Sequence, residues 1–257
     1  IPGVLTAAVY LIGVSILVRF RPSLAPPIDV EVSWAERWQA AGQIWPIVIL
    51  MALVLGGIYT GLFPPSAAGA AGAFGAFCLA VLHKRGLGGG WLGPALQDAA
   101  SISCVIFVIL IGGLLLSRML AVVGVIDDLV LQITSVASSP VSFLILASIL
   151  YIVLGCFLDT TSMMVVTLPF LFPVVVALDI DPIWFGIILV KLIEISVITP
   201  PVGINLFAVM GAVGKEATFQ DVAMGVIPFI VFDLIVLALL IAFPEIATWL
   251  PKQMIAG

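Results

Sequence analysis

Long apolar runs succeed one another along this chain with short polar interruptions, at about 2–18, 44–63, 66–82, 101–123, 141–158, 163–178, 183–198, 201–213 and 226–243. Their lengths approach the ~20 residues a helix needs to cross a hydrocarbon core, and they lack the short alternating pattern of barrel strands. The pattern predicts an all-α polytopic membrane bundle. Several runs are too short to cross alone. The more polar stretch 28–45 carries Trp34, Trp38 and Trp45 beside Glu36 and Arg37. Trp34 and Trp38 share one helical face, which predicts a helix lying among the lipid headgroups as an anchor. Gly88-Gly89-Gly90-Trp91 reads as a flexible turn before a short amphipathic piece.

Two of the runs are interrupted by helix breakers and oxygen-rich side chains. One break is Gly155-Cys156-Phe157-Leu158-Asp159-Thr160-Thr161-Ser162; the other is Thr199-Pro200-Pro201-Val202-Gly203-Ile204-Asn205. Bare backbone is costly in lipid unless it is buried or lines a cavity, so paired breaks predict an ion or substrate site at membrane depth. Pro200 and Pro201 remove two successive donors, and the carbonyls of about 195–198 are expected to lose their partners. Such carbonyls, with the hydroxyls of Thr160, Thr161 and Thr199 and the open backbone at Gly155 and Gly203, form an all-oxygen set suited to Na⁺. Asp159 and Asn205 are expected to order this site or meet the substrate. The half-helix N-termini near Ser162 and Gly203 suit a carboxylate. An acid such as Asp159 at this depth costs about 2.5–3.5 kcal/mol on insertion scales and should face a partner, a cation or water.

Charge sets the orientation. Arg19, Arg21, Arg37, Lys84, Arg85 and Lys215 fall on one side if 44–63 runs outward, Pro64-Pro65-Ser66 turns outside and 66–82 returns. In that count 101–123 leads out to Asp127-Asp128, 183–213 crosses inward to Lys215, and 226–243 returns, leaving Lys252 outside. Segment 140–178 then starts and ends outside, as a re-entrant hairpin or as two crossings. No Lys or Arg marks an inner turn, and Pro140–Leu154 rises only about 22 Å as helix, so the hairpin is preferred. The predicted layout is scaffold and connecting helices over 1–135, a hairpin over 140–178, a broken helix over 183–213 and a final helix over 226–250.

Composition narrows the function. Of 257 residues, 63% are hydrophobic and 9% charged, with a net charge of −5. That balance fits an integral membrane protein and offers no basic stripe for nucleic acid. Cys78, Cys104 and Cys156 have no CxxC spacing, and His83, read as a loop residue, has no companion histidine, so neither a disulfide nor a zinc site is expected. No P-loop pattern supports ATP use, and no cofactor is expected beyond a coupling ion. An intramembrane hydrolase would need an acid pair or a Ser/His dyad, which these residues do not provide. The opening Ile1-Pro2-Gly3 reads as an internal start, as in a fragment or one product of a split gene.

Lys191 and Glu194 lie three apart on one helical face and predict an intramembrane ion pair. Arg118 is expected to snorkel, and Asp233 to pair with another helix. Gly56-Gly57-Ile58-Tyr59-Thr60-Gly61 and Pro64-Pro65-Ser66-Ala67-Ala68-Gly69 read mainly as small-residue packing surfaces.

Four motifs, in order, are GGIYTGLFPPSAAG, LGCFLDTTSMMVVTLPFLFPVVVALDIDPIWFG, VKLIEISVITPPVGINLF and FPEIATWLP. By these the chain resembles the large membrane (DctM-like) subunit of the tripartite ATP-independent periplasmic (TRAP) transporters. The resemblance implies the second of two inverted repeats in an elevator-type secondary transporter, with a Na⁺ site between hairpin tip and broken helix. It implies a cytoplasmic-membrane protein of a bacterium or archaeon that takes up organic acid anions such as C4-dicarboxylates. The implied partners are a periplasmic substrate-binding protein and a small membrane subunit. A non-transporting assembly subunit is the alternative.

Overall fold

The computed structural model describes residues 1–24, 33–83, 90–201, 203–214 and 217–255, and all regular structure among them is helical. Lys84, Arg85 and Lys215 of the orientation argument, Val202 of the proline break, and Gly88 and Gly89 lie outside the described residues. The chain divides into two compact units, Ala25–Ser103 and the combination of Ile1–Leu24 with Cys104–Gly257. The first helix and residues 104–135 therefore group with the interrupted elements, and only 25–103 stands apart from them.

In the smaller unit, α2 (Trp34–Gln43) opens on a capping box, with the Glu36 N–H donating to Ser33 Oγ and the Ser33 N–H to Glu36 Oε2. Two orphan donors of the first turn are thereby satisfied. Arg37 stands 4.8 Å from the centroid of the Trp34 ring, and Trp34 and Trp38 are exposed. Helices α3 (Trp45–Tyr59) and α4 (Pro65–His83) pack closely where α4 has no side chain. A Cβ on Gly75 would lie 2.8 Å from Leu50 Cδ2, and one on Gly72 would lie 3.1 Å from Val54 Cγ2. Small residues let the backbones approach, the usual currency of helix association in lipid. Thr60 turns back on its own helix, donating to the Gly56 carbonyl at 2.7 Å. His83 closes α4 instead of lying in a loop.

The larger unit is organised around α9 (Pro182–Ile198), in which more than half of the 17 residues are buried. A helix apolar all round belongs in the middle of a bundle. Around it pack α7 (Pro140–Gly155), α8 (Thr160–Ala177), α10 (Ile204–Val213), α11 (Phe219–Ala242) and α12 (Glu245–Ile255), and α1 (Pro2–Phe20) packs on α11. Asp181 caps α9 through the Ile183 and Trp184 N–H groups, and Trp184 Nε1 donates to the Leu240 carbonyl at 2.8 Å. By length and composition α1, α4, α5 (Leu92–Val123), α8 and α11 could each cross a membrane.

Three boundaries differ from the pattern-based expectation. α5 starts at Leu92, not near 101, because Gln97, Asp98, Ser101 and Ser103 do not interrupt a helix and Pro94 sits in its first turn. Its 32 residues run about 48 Å. The expected outer loop after it is a further helix, α6 (Val125–Val136), turned 113° from α7. Its mixed faces escape a hydropathy window, yet Val130 and Ile133 pack on the core and Asp127 and Asp128 sit in the first turn, where the helix dipole favours them. The single final helix expected over 226–250 is two, since α11 begins at Phe219 and α12 follows a break at Phe243 and Pro244. Proline disfavours helical geometry in the residue before it, and Phe243 has left the helical region.

Candidate functional site

The hairpin begins where Ser139 and Ser142 cap α7 reciprocally. α7 ends at Gly155, the chain turns through 156–159, and α8 starts at Thr160. The hydroxyls of Tyr151 and Thr167 hydrogen-bond to each other. These residues are equidistant in sequence from Asp159, so the two arms lie side by side with the tip between them.

Asp159 caps α8. Its Oδ2 accepts from the Thr161 N–H at 2.9 Å and the Ser162 N–H at 3.2 Å, while Oδ1 accepts from the Ser162 hydroxyl. The N-terminus near Ser162, expected to suit a substrate carboxylate, is therefore occupied by the chain's own carboxylate. Replacing Asp159 by Ala is expected to cost about 1 kcal/mol of helix-start stability. Amide hydrogen exchange at Thr161 and Ser162 would rise accordingly; unchanged exchange would contradict the cap. Thr160 and Thr161 line an apolar groove of about 520 Å³ with Leu110, Leu114, Met164 and Leu168, on the side of α8 that faces α5.

The second break leaves helical geometry at Thr199, and the chain resumes at Ile204. The carbonyls expected to be free are partly recaptured. Thr199 Oγ1 donates to the Ile195 carbonyl at 2.6 Å, and the Thr199 N–H bonds the Ser196 carbonyl at 3.2 Å. In a continuous helix Pro200 would serve Ser196 and Pro201 would serve Val197, but proline has no N–H. Thr199 thus repairs the Ser196 carbonyl and leaves Val197 deprived of its helical donor. Because Thr199 Oγ1 spends only its proton on Ile195, its lone pairs stay available to a cation. Gly203 takes φ +50, and a Cβ there would lie 3.2 Å from the Thr199 carbonyl oxygen, so a side chain at this position would crowd that oxygen. α10 starts with no side-chain cap, and Asn205 is exposed in its first turn.

The two breaks meet. A Cβ on Gly155 would stand 2.1 Å from Ser196 Cβ and 2.9 Å from the Ser196 carbonyl carbon. Ser196 Oγ donates to the Ile193 carbonyl at 2.8 Å and lies 3.8 Å from Met163 Sδ on α8. The last turn of α9 is therefore held against both arms of the hairpin, one turn before Thr199. Among the described residues no group of three His, Cys, Asp or Glu side chains could hold a metal ion. The donors gathered at the junction are carbonyl and hydroxyl oxygens, the set a hard monovalent cation prefers.

A second polar cluster joins α1, α9 and α11. Lys191 Nζ lies 2.5 Å from Asp233 Oδ1, 2.9 Å from Glu194 Oε2 and 3.5 Å from Thr6 Oγ1. Tyr10 donates to Asp233 Oδ2 at 2.8 Å. Asp233 is fully buried and the Lys191 side chain is 6% exposed, whereas that of Glu194 is 52% exposed. Asp233 is thus the principal partner of Lys191, with Glu194 at the edge of the cluster. Both charges stand out in the sequence but their pairing does not, nor do the contacts of Ser196, Tyr10 and the Tyr151–Thr167 pair. An isolated opposite charge in another apolar helix was the available signal for the first; the others carry none beyond a polar atom in an apolar run.

Two interrupted helices joined at their breaks, inside a bundle with helices long and apolar enough to span a bilayer, define a polytopic membrane protein of the broken-helix kind. Residues 1–246 match the family described as tripartite ATP-independent periplasmic transporter, DctM component, and the chain belongs to that family. Its members are transport components, so the chain is not an enzyme. It is 32% identical over 222 residues to the C4-dicarboxylate TRAP transporter large permease protein of Rhodobacter capsulatus, covering 86% of this chain and 50% of that protein. It is 31% identical over 226 residues to the ectoine/5-hydroxyectoine TRAP transporter large permease protein of Ruegeria pomeroyi, covering 87% and 52%. With the C4-dicarboxylate TRAP transporter large permease protein of Vibrio cholerae the identity is 28% over 276 residues, covering 98% and 59%. The chain spans about half the length of these curated relatives.

Proposed function

We propose that the chain is the C-terminal repeat of the membrane permease in a Na⁺-coupled secondary transporter of organic acid anions, C4-dicarboxylates or related carboxylates. The observation that carries this reading is the contact of Gly155 with Ser196, which sets the hairpin tip against the break in α9. Na⁺ is bound there by oxygens of Thr199, the Val197 carbonyl and the backbone around Gly155 and Gly203. Thr160 and Thr161 give this ion only backbone oxygens at the tip, since their positions border the α5 groove. The uncapped start of α10, beside Gly203 and Asn205, receives the substrate carboxylate; Asp159 and Ser162 order the hairpin, while Pro200 and Pro201 hold the break open. The Lys191–Glu194–Asp233 cluster fixes α9 in the bundle.

Ion binding that closes the tip onto the break stabilises the state with substrate affinity, the differential affinity that coupling requires. In this reading the hairpin and broken helix move together against a scaffold, in the cytoplasmic membrane of a bacterium or archaeon. A periplasmic binding protein delivers the anion and a small membrane subunit completes the assembly. Two relatives named for C4-dicarboxylates support the anion class.

Uptake into proteoliposomes by the full-length protein, with its small subunit and binding protein, tests the reading. Thr199→Val is expected to raise the Na⁺ concentration for half-maximal uptake about tenfold, equivalent to about 1.4 kcal/mol of lost ligation. Unchanged Na⁺ dependence and rate would defeat the assignment, and absence of any flux from the intact assembly would favour an assembly subunit.

A further inference from the structure

An open groove of about 540 Å³ runs between α1 and α11, walled by Val9, Ile16 and Phe20 on one side and Val231 and Ile235 on the other, with Arg21 at one end. Gly13 and Phe232 form part of its floor, where the Phe232 ring fills the space a Cβ on Gly13 would take, 2.4 Å from Phe232 Cζ.

Its dimensions match one leaflet. From Val9 to Phe20, α1 rises about 16 Å, close to half of a ~30 Å hydrocarbon core. Its walls stop where Arg21 leaves the helix as the C-cap of α1. Arg19, in the last turn, puts a second cation at the same level. By the positive-inside rule this is the cytoplasmic end, facing the leaflet rich in anionic lipid. An apolar channel one leaflet deep, ending in an exposed guanidinium, has the charge and shape of a diacyl phospholipid with an anionic headgroup.

We propose that this groove is a specific site for an anionic phospholipid of the inner leaflet, with one acyl chain between α1 and α11 and the phosphate on Arg21. Such a lipid fills a seam beside the Tyr10–Asp233 hydrogen bond and holds α1 against α11. The site is separate from the ion and substrate junction.

The test uses the full-length protein in nanodiscs with a phosphatidylglycerol carrying a photoreactive group on its acyl chain. Label is expected to concentrate on the peptides containing Ile16 and Val231, and excess unlabelled phosphatidylglycerol should displace it where phosphatidylcholine does not. Arg21→Gln is expected to lose about fivefold of the preference for phosphatidylglycerol, the contribution of one basic residue near an anionic surface. Arg21→Lys should restore most of it, and Ile16→Trp, which fills the groove, should lower labelling by both lipids. Label spread evenly over lipid-facing helices would overturn the proposal. So would an unchanged preference in Arg21→Gln, or a groove unlabelled because another stretch of the protein occupies it.

Discussion

Lys191→Met is expected to be the most damaging single substitution in the α1–α9–α11 cluster, costing about 3–5 kcal/mol, the range for stranding one member of a buried ion pair. The order of the related variants is the informative result. Removing Lys191 leaves the fully buried Asp233 with only the Tyr10 hydroxyl as a polar partner among the described residues. Removing Asp233 is less harmful, because Lys191 Nζ keeps Glu194 at 2.9 Å. Asp233→Leu should therefore fall at the lower end of that range. The double variant Lys191→Met with Asp233→Leu should recover most of the loss, since no charge is left buried and the replacements are of comparable bulk. Denaturation midpoints of the full-length protein in lipid would check the series. A double variant as unstable as the sum of the singles would mean that the pair is not a closed unit.

That pairing shows where sequence reading stops. Both charges are conspicuous in the chain, but Lys191 and Asp233 meet only because α11 folds back along α9, and nothing local announces that packing. The breaks themselves were legible because they are statements of local chemistry: proline lacks a donor, glycine lacks a Cβ, and Asp-Thr-Thr-Ser offers a cap before a new helix. What those groups do was less legible. By type and depth Asp159 is an acid in need of a partner, and it finds that partner in the next turn of its own chain. Thr160 and Thr161 have the chemistry of ligands, yet the side of α8 they occupy depends on the phase at which the helix restarts after the tip. Helix α6 escapes a reading by apolar runs because Asp127, Asp128 and Gln132 interrupt its apolar positions and its 12 residues are too few to cross a bilayer, whereas α12 merges with α11 in such a reading because the sequence stays largely apolar across Pro244.

Gly155→Ala tests the meeting of the two breaks most directly. An alanine Cβ would stand 2.1 Å from Ser196 Cβ and 2.9 Å from the Ser196 carbonyl carbon, too near for any real side chain. Neither atom can swing aside, since one is fixed to the backbone of α9 and the other belongs to it. The hairpin must instead retreat from α9, at an overpacking cost of about 1–3 kcal/mol. Retreat widens the gap between Gly155 and Thr199, so an ion held by oxygens from both sides loses part of its shell. Na⁺ dependence of uptake should weaken by more than the stability loss alone explains, with the protein still folded at working temperature. Ser196→Gly removes the first clash but not the second, and adds the cost of about 1 kcal/mol for glycine within a helix. The double variant should therefore regain Na⁺ affinity in part while remaining less stable than the parent. If Gly155→Ala left both the denaturation midpoint and the Na⁺ response unchanged, hairpin and break would not be in contact in the working protein, and the ion site proposed between them would have no floor.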